Sequence, residues 1–234
     1  MAELSIGLIF LAGGKGSRFG GPKPKQFIEL MKKPLALYSL ETLLNLPLIR
    51  ECVIVCEEEF QSMFNPYASS ITAFAKPGSE RQFSMMSGFE KLRGPCSHVI
   101  IHDAARPLIA IEDANKLILE GSSFPAATLA TPIHSTIKLA NTHACVISTL
   151  DRTQLWDIQT PQLLQYPLLQ EGIKQLSSHP FPVTDDVSIA EHLGYPVKLV
   201  SGNPSNIKIT EPFDFHFASF YLNHLKDTTA YASL

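Results

Sequence analysis

Ile6-Gly7-Leu8-Ile9-Phe10-Leu11-Ala12-Gly13-Gly14-Lys15-Gly16-Ser17-Arg18-Phe19-Gly20-Gly21-Pro22-Lys23-Pro24-Lys25-Gln26 reads as a strand that opens onto a phosphate-binding loop. The apolar run from Ile6 to Leu11 suits a strand buried on both faces of a mainly parallel sheet. Between positions 13 and 21 there are five glycines. Glycines let the backbone turn sharply and let its N–H groups approach an anion with no Cβ in the way. Lys15, Arg18, Lys23 and Lys25 add positive charge. Two familiar phosphate loops are excluded. The dinucleotide fingerprint G-x-G-x-x-G fails because Gly14, Gly16 and Phe19 fill its three places, and the P-loop fails because Gly16 follows Lys15 where Ser or Thr is needed. A strand, a glycine loop, Arg18 and a further lysine in Pro24-Lys25-Gln26 form a layout for a triphosphate. The alternative is an exposed glycine turn whose cations only keep the chain soluble.

Working outward, the 234 residues suit one large α/β domain spanning 1–234, with 45% hydrophobic and 18% charged residues. A net charge of −3 argues against a general nucleic-acid binder. No apolar run approaches a membrane span, and the N-terminal strand runs straight into the glycine loop without a cleavage signal. Cys52 and Cys56 on one strand would lie roughly 13 Å apart, too far for a disulfide. Cys96 and Cys145 are isolated, so a reducing cytoplasm is expected.

Residues 34–44 have helical apolar spacing, 52–56 and 71–75 read as strands, and 57–67 is acidic and moderately amphipathic. The turn Lys76-Pro77-Gly78-Ser79 then runs into a helix through Leu92, with Ser79 a possible cap. At the carboxyl edge of a parallel sheet this is where a ligand base would sit. In His98-Val99-Ile100-Ile101-His102-Asp103-Ala104-Ala105-Arg106-Pro107, an acid ends a hydrophobic strand, as suits a hard-oxygen ligand for Mg²⁺ carrying phosphates. Ala104 and Ala105 leave room for a sugar ring; alternatively, Asp103 and Arg106 form a structural ion pair. Further on, 112–121 reads as a helix and 126–133 as a strand. Residues 136–140 and 144–148 pair as a hairpin across 141–143, an arm spanning about 133–156 that interrupts the strand–helix alternation. Trp156 is read as core. Helices are expected at 167–176 and 184–194, the second capped by Thr184 or Asp185. A strand follows at 197–200, and 205–210 is another strand carrying Lys208. A last helix is expected to bury Phe213, Phe217, Phe220 and Tyr221.

The first loop resembles that of the nucleotidyltransferases that activate sugar and polyol phosphates, and Pro24-Lys25-Gln26 narrows the likeness to cytidylyltransferases. His102-Asp103-Ala104-Ala105-Arg106-Pro107 matches the same family. Leu150 to Trp156 and Gln159-Thr160-Pro161-Gln162 resemble its members acting on 2-C-methyl-D-erythritol 4-phosphate; the form Leu-Ala-Gly-Gly-x-Gly-Ser-Arg is shared with those acting on ribitol 5-phosphate. The likeness covers nearly the whole chain.

It implies a single-domain, Rossmann-like α/β fold with a mainly parallel sheet and a protruding hairpin arm. It also implies CTP and a polyol phosphate as substrates, Mg²⁺ or another divalent cation as cofactor, and a homodimer joined through the arm. By resemblance, Ala12, Gly13, Gly14, Lys15, Gly16, Gly78, Ser79, Ser84, Asp103 and Ala104 bind the nucleotide, with Asp103 also on the metal. Arg18, Lys25 and Lys208 are catalytic. Arg106, Thr136 and Arg152 bind the acceptor, the last two across the dimer. Ser79 and Ser205 replace acids common at their positions. A non-catalytic nucleotide sensor on the same fold is the reading from another functional class.

Overall fold

The computed structural model describes residues 4–14, 19, 23–94 and 96–231, with side chains of the last helix described through residue 224. Lys15, Gly16 and Arg18 of the expected site lie outside the described residues. In chain order the elements are β1 (Ile6–Leu11), β2 (Glu29–Leu30), β3 (Lys33–Pro34), α1 (Leu35–Leu44), β4 (Ile49–Val55), β5 (Ala73–Ala75), α2 (Arg81–Phe89), β6 (His98–Asp103), α3 (Ile111–Gly121) and β7 (Ala126–Pro132). They continue with β8 (Lys138–Ala140), β9 (Val146–Thr149), β10 (Trp156–Gln165), α4 (Tyr166–Ser178), α5 (Ser188–His192), β11 (Val197–Ser201) and α6 (Pro212–Tyr231). The acidic segment after β4 is a 3₁₀ stretch, Glu58–Ser70.

A seven-stranded sheet in the order β11-β7-β10-β6-β1-β4-β5 carries the fold. β1 pairs parallel with β4 and β6, β4 with β5, and β11 with β7; β10 alone runs antiparallel, between β6 and β7. The β1 apolar run is explained by its two buried faces. Ile6, Leu8 and Phe10 pack on the side of α1 and α3, and Ile9 and Leu11 on the side of α2, α4 and α5. At Gly88 of α2 an added Cβ would meet Ile9 Cγ2 at 2.6 Å, so this glycine lets α2 lie close against the sheet and seat the site at its N-terminus.

Several expectations need correction. β10 was not anticipated as a strand: Asp157, Gln159, Thr160, Pro161 and Gln162 break any apolar alternation. Its ladder to β7 shifts register between Ile158 and Gln162, around a proline that has no N–H to give. The segment 205–210 is irregular and joins no strand ladder, so Lys208 is not on a strand. Trp156 is half-buried rather than core. Of the aromatic stripe on α6, Phe213 (76% exposed), Phe217 and Phe220 (62%) face outward; Tyr221 packs with Leu30, Leu35 and Leu108.

The arm is present, but its paired segments are shorter: Lys138–Ala140 with Val146–Thr149, closed by Asn141, whose side-chain oxygen accepts the His143 and Cys145 N–H groups at 3.0 Å each.

Candidate active site

Parallel strands end together at one edge of the sheet, and their last residues build the site. The Ala12 N–H donates to Val55 O (2.8 Å) and the Ala104 N–H to Leu11 O (3.0 Å), tying the loop after β1 to the tips of β4 and β6. Gln26, nearly fully buried, donates its carboxamide hydrogens to Ala12 O (2.7 Å) and Gly14 O (2.8 Å), folding the Pro-Lys-Gln end back under the glycine loop. A Cβ on Gly13 would stand 2.2 Å from Pro77 Cβ, so only glycine lets this loop meet the 77–84 turn. In that turn Ser84 Oγ accepts the Gly78 N–H (3.0 Å) and donates to Glu80 O. Ser79 is exposed and makes no capping bond to α2.

Asp103 ends β6. Its Oδ2 takes the Lys208 ammonium at 2.6 Å and Arg81 Nη1 at 3.5 Å, and its Oδ1 accepts the Ala105 N–H at 3.0 Å. Burial alone would raise this carboxyl, but Lys208 and Arg81 outweigh it and hold Asp103 well below the usual carboxylate range. Arg81 Nη2 lies 2.5 Å from Asp186 Oδ2, and Asp186 is fully buried. Burial pushes the Asp186 carboxyl up while Arg81 pulls against it. Asp185, by contrast, accepts the Ser188 N–H at 3.0 Å, although the N-cap of α5 is Val187, not Thr184 or Asp185.

Lys208 is aimed from both sides. The Ile209 N–H donates to Ala105 O (2.8 Å), and Asn206 Nδ2 to Thr160 O (2.9 Å). Arg106 gives Nη1 to Asn206 O (2.6 Å) and Nη2 to Ile158 O (3.0 Å), so its guanidinium clamps the β10 irregularity to the Lys208 segment. It forms no ion pair with Asp103.

Beneath the site, Thr160 Oγ1 accepts the Asp103 N–H (3.1 Å) and lies 3.1 Å from His102 Nδ1, while His102 Nε2 lies 3.1 Å from Arg106 O. A carbonyl only accepts, so Nε2 carries the proton, Nδ1 accepts from Thr160, and the ring is neutral. Burial lowers the His102 pKa to about 3.

Two cavities meet at this cluster. One, of about 350 Å³, is lined by Gly13, Gly14, Pro77, Gly78, Ser79 and Ser84; the other, of about 320 Å³, by Arg106, Asp157 to Thr160, Gln162, Thr184 and Asp185. Arg81, Asp103 and Lys208 line both. Ala12 lines an adjoining cavity beneath the glycine loop, and Ala104 is fully buried. Lys25 opens a one-turn helix, Lys25–Phe27, beside the loop. Thr136 and Arg152 are exposed on the arm; Arg152 donates to His134 O at 2.8 Å, and neither residue lines the cavities around Asp103.

The family model described as IspD, 2-C-methyl-D-erythritol 4-phosphate cytidylyltransferase, matches residues 6–224. The chain belongs to this family. Its relatives include the chloroplastic 2-C-methyl-D-erythritol 4-phosphate cytidylyltransferase of Oryza sativa subsp. japonica, 38% identical over 94% of this chain and 75% of the rice protein. The enzyme of the same name from Chlamydia trachomatis serovar D is 38% identical over 94% of this chain and 97% of its own. Among solved structures, 4-diphosphocytidyl-2C-methyl-D-erythritol synthase from Anaerococcus prevotii DSM 20548 superposes with a TM-score of 0.82 at 26% identity, covering 94% of this chain and 99% of that one. Arg81, Asp186, Gln26 and Thr160 also belong to the cluster around these cavities, and none of them is assigned a site role from the sequence. Gln26 and Thr160 each had a local signal, in Pro24-Lys25-Gln26 and in Gln159-Thr160-Pro161-Gln162.

Proposed function

We propose that the chain transfers the cytidylyl group of CTP to 2-C-methyl-D-erythritol 4-phosphate, releasing pyrophosphate and forming 4-diphosphocytidyl-2-C-methyl-D-erythritol for isoprenoid synthesis. One observation carries the mechanism: Asp103, Arg81 and Lys208 stand where two cavities meet. The cavity beside the glycine loop takes the nucleotide and the one beside β10 takes the acceptor, so the Lys208 ammonium faces both phosphates. An acceptor phosphate oxygen attacks the α-phosphorus of CTP in line, a new P–O bond forms, and the bond to the pyrophosphate oxygen breaks. The phosphate is already ionised near neutral pH, so no general base is needed. Charge crowding sets the barrier, and positioned cations lower it. Lys208 neutralises charge at the α-phosphorus, and Arg18 and Lys25 hold the leaving phosphates.

A divalent cation fits as a ligand shared with the nucleotide. Asp103 is an ionised carboxylate lining a cavity that Glu57 and Glu80 also line, and no cluster of three His, Cys, Asp or Glu that could hold a metal ion exists among the described residues. Mg²⁺ commonly takes one or two carboxylates and completes its shell with substrate phosphates and water. Asp103 would hold it, and it would neutralise phosphate charge there.

The functional unit is a homodimer joined by the arm, on which Leu139 (48%), Val146 and Ile147 (both 61%) are exposed. A two-stranded arm is marginal alone and gains stability by covering such residues. The partner's arm brings Thr136 and Arg152 to the acceptor. The enzyme works in the cytoplasm, consistent with four free cysteines; burial pushes the Cys52 and Cys56 thiols up to about 12. No helix among the described residues is long and apolar enough to cross a membrane.

Pyrophosphate release from CTP and Mg²⁺ with a panel of acceptors tests the reading. Methylerythritol phosphate should be preferred. Preference for ribitol 5-phosphate, which the glycine-loop form favours, would reassign the acceptor; nucleotide binding with no release for any acceptor would make the chain a sensor.

A further inference from the structure

The fold gives no reason for a carboxylate at position 186. Its side chain is fully buried, Oδ2 meets only Arg81, and Oδ1 has no hydrogen-bond partner. A buried ionisable group so partnered is costly, and such costs concentrate where function requires them. The turn into α5 is tied instead by Asp185, whose Oδ1 accepts the Ser188 N–H.

Asp186 is also rigidly placed. The Asp186 and Val187 N–H groups donate to Gln162 Oε1 at 2.8 and 3.1 Å, and Gln162 Nε2 donates to Asp185 Oδ2 at 2.9 Å. Gln162 sits just beyond the β10 irregularity whose Thr160 receives the Asp103 N–H. One strand therefore locates Asp103 twice: directly through Thr160, and through Gln162, Asp186 and Arg81.

We propose that Arg81, held by the buried carboxylate of Asp186, is a positioning residue that keeps Asp103 directed at Lys208 on the boundary of the two cavities during cytidylyl transfer. The proposal rests on the transfer reading above and deepens it. A guanidinium readily takes both oxygens of one carboxylate. Asp186 engages Nη2 at 2.5 Å, leaving only Nη1, at 3.5 Å, for Asp103. Asp103 Oδ2 thus stays closest to Lys208, at 2.6 Å. With the 186 carboxylate gone, Arg81 would turn its whole fork onto Asp103 and draw it from Lys208. The defect would fall on the reacting arrangement, since Arg81 and Asp186 donate no bond to Gly13, Gly78 or Ser84.

The test compares Asp186→Asn, Arg81→Lys and the double variant with the wild-type chain, each checked for folding by circular dichroism, by pyrophosphate release with saturating acceptor. Asp186→Asn should lower kcat roughly 10- to 100-fold, the range typical for groups that orient an active-site ligand, with KM for CTP changed less than about threefold. In the Arg81→Lys background, where a compact ammonium lacks the fork of two separated nitrogens that divides Arg81 between Asp186 and Asp103, the same substitution should add little. Folded Asp186→Asn with wild-type kcat, or losses that multiply in the double variant, would overturn the positioning role while leaving the transfer reading intact. If Asp186→Asn does not fold, Arg81→Lys decides alone: a fall in kcat at near-constant KM supports the role, and unchanged kcat overturns it. A wild-type chain that releases no pyrophosphate overturns the transfer reading and this role with it.

Discussion

Lys208 Nζ lies 2.6 Å from Asp103 Oδ2, joining the tip of a central strand to an irregular segment far along the chain. The lysine side chain is 41% exposed, so the pair contributes little to stability by the usual measure of open ion pairs. Its value lies in placing a cation where phosphates meet. Lys208→Met should therefore cost roughly 10² to 10³ in kcat, as for loss of one preorganised donor, with a melting temperature within a few degrees of wild type. Turnover near normal in the folded variant would remove Lys208 from the chemistry.

Ser84 Oγ accepts the Gly78 N–H at 3.0 Å and so fixes the turn that walls the nucleotide cavity. Ser84→Ala removes the partner of that N–H on an exposed residue, at a cost of about 0.5–1.5 kcal/mol. The expected result is a drop in kcat/KM for CTP of roughly tenfold and a smaller CTP-over-UTP ratio, because a loosened turn reads the base edge less sharply. Unaltered selectivity in competition assays would separate this turn from base recognition.

His102 supplies a stability signature in acid. Its folded pKa is lowered to about 3, against roughly 6.5 in an unfolded chain. Between those values the unfolded state binds the extra proton, so stability is complete above about pH 6.5 and falls as pH drops, by up to about 1.4 kcal/mol per pH unit. Burial lowers His98 as well, and it adds in the same direction. Asp103, whose folded pKa is depressed, also loses its contribution on acidification, but only as pH falls through the carboxylate range, so between about pH 4.5 and 6.5 the histidines supply the downward slope, against which the raised Asp186 carboxyl works. Denaturant titrations at several pH values should show this slope, flattened in His102→Gln; an identical slope in that variant would deny His102 its part.

How much of this could be read in the chain follows a physical divide. β1 and β6 announce themselves because both faces are buried, which forces unbroken apolar runs. Gly13, Gly78, Ser84, Asp103 and Lys208 converge as expected because each lies in a loop, in the first turn of α2 or at a strand tip with a local chemical signature. β10 stayed hidden because its centre is buried through hydrogen bonds instead of apolar contact: Gln159, Thr160 and Gln162 are each at most 6% exposed yet polar. Arg106 carries a local signature too, but the pull of two backbone carbonyls on its guanidinium depends on chain brought from afar. The Arg81–Asp186 contact has no trace in the sequence, since nothing near either residue names the other. On α6 the periodicity of Phe213, Phe217 and Phe220 is real, but a helical stripe does not say whether it meets this chain's core or open solvent.

For the arm, Arg152→Ala and Lys25→Ala should each be inactive alone. Mixed after subunit exchange, they should recover about a quarter of wild-type activity, since random pairing makes half the dimers mixed and each mixed dimer carries one complete site. Sedimentation confirming mixed dimers without any recovered turnover would place Arg152 in its own subunit's chemistry or outside it.

The insertion of β10 between β6 and β7 bears on how the protein is made. No ladder joins β6 to β7 except through β10, although β7 precedes it in the chain. A ribosome therefore delivers the strands of the nucleotide half first, then β7 and the arm, while Val99, Ile100 and Ile101 wait at an open edge of the kind that invites pairing with other chains. Only when Gln165 has cleared the exit tunnel can the halves be stitched. Nascent chains stalled before Trp156 should accordingly be captured by chaperones and cut by protease, whereas those stalled with α4 fully emerged should resist both.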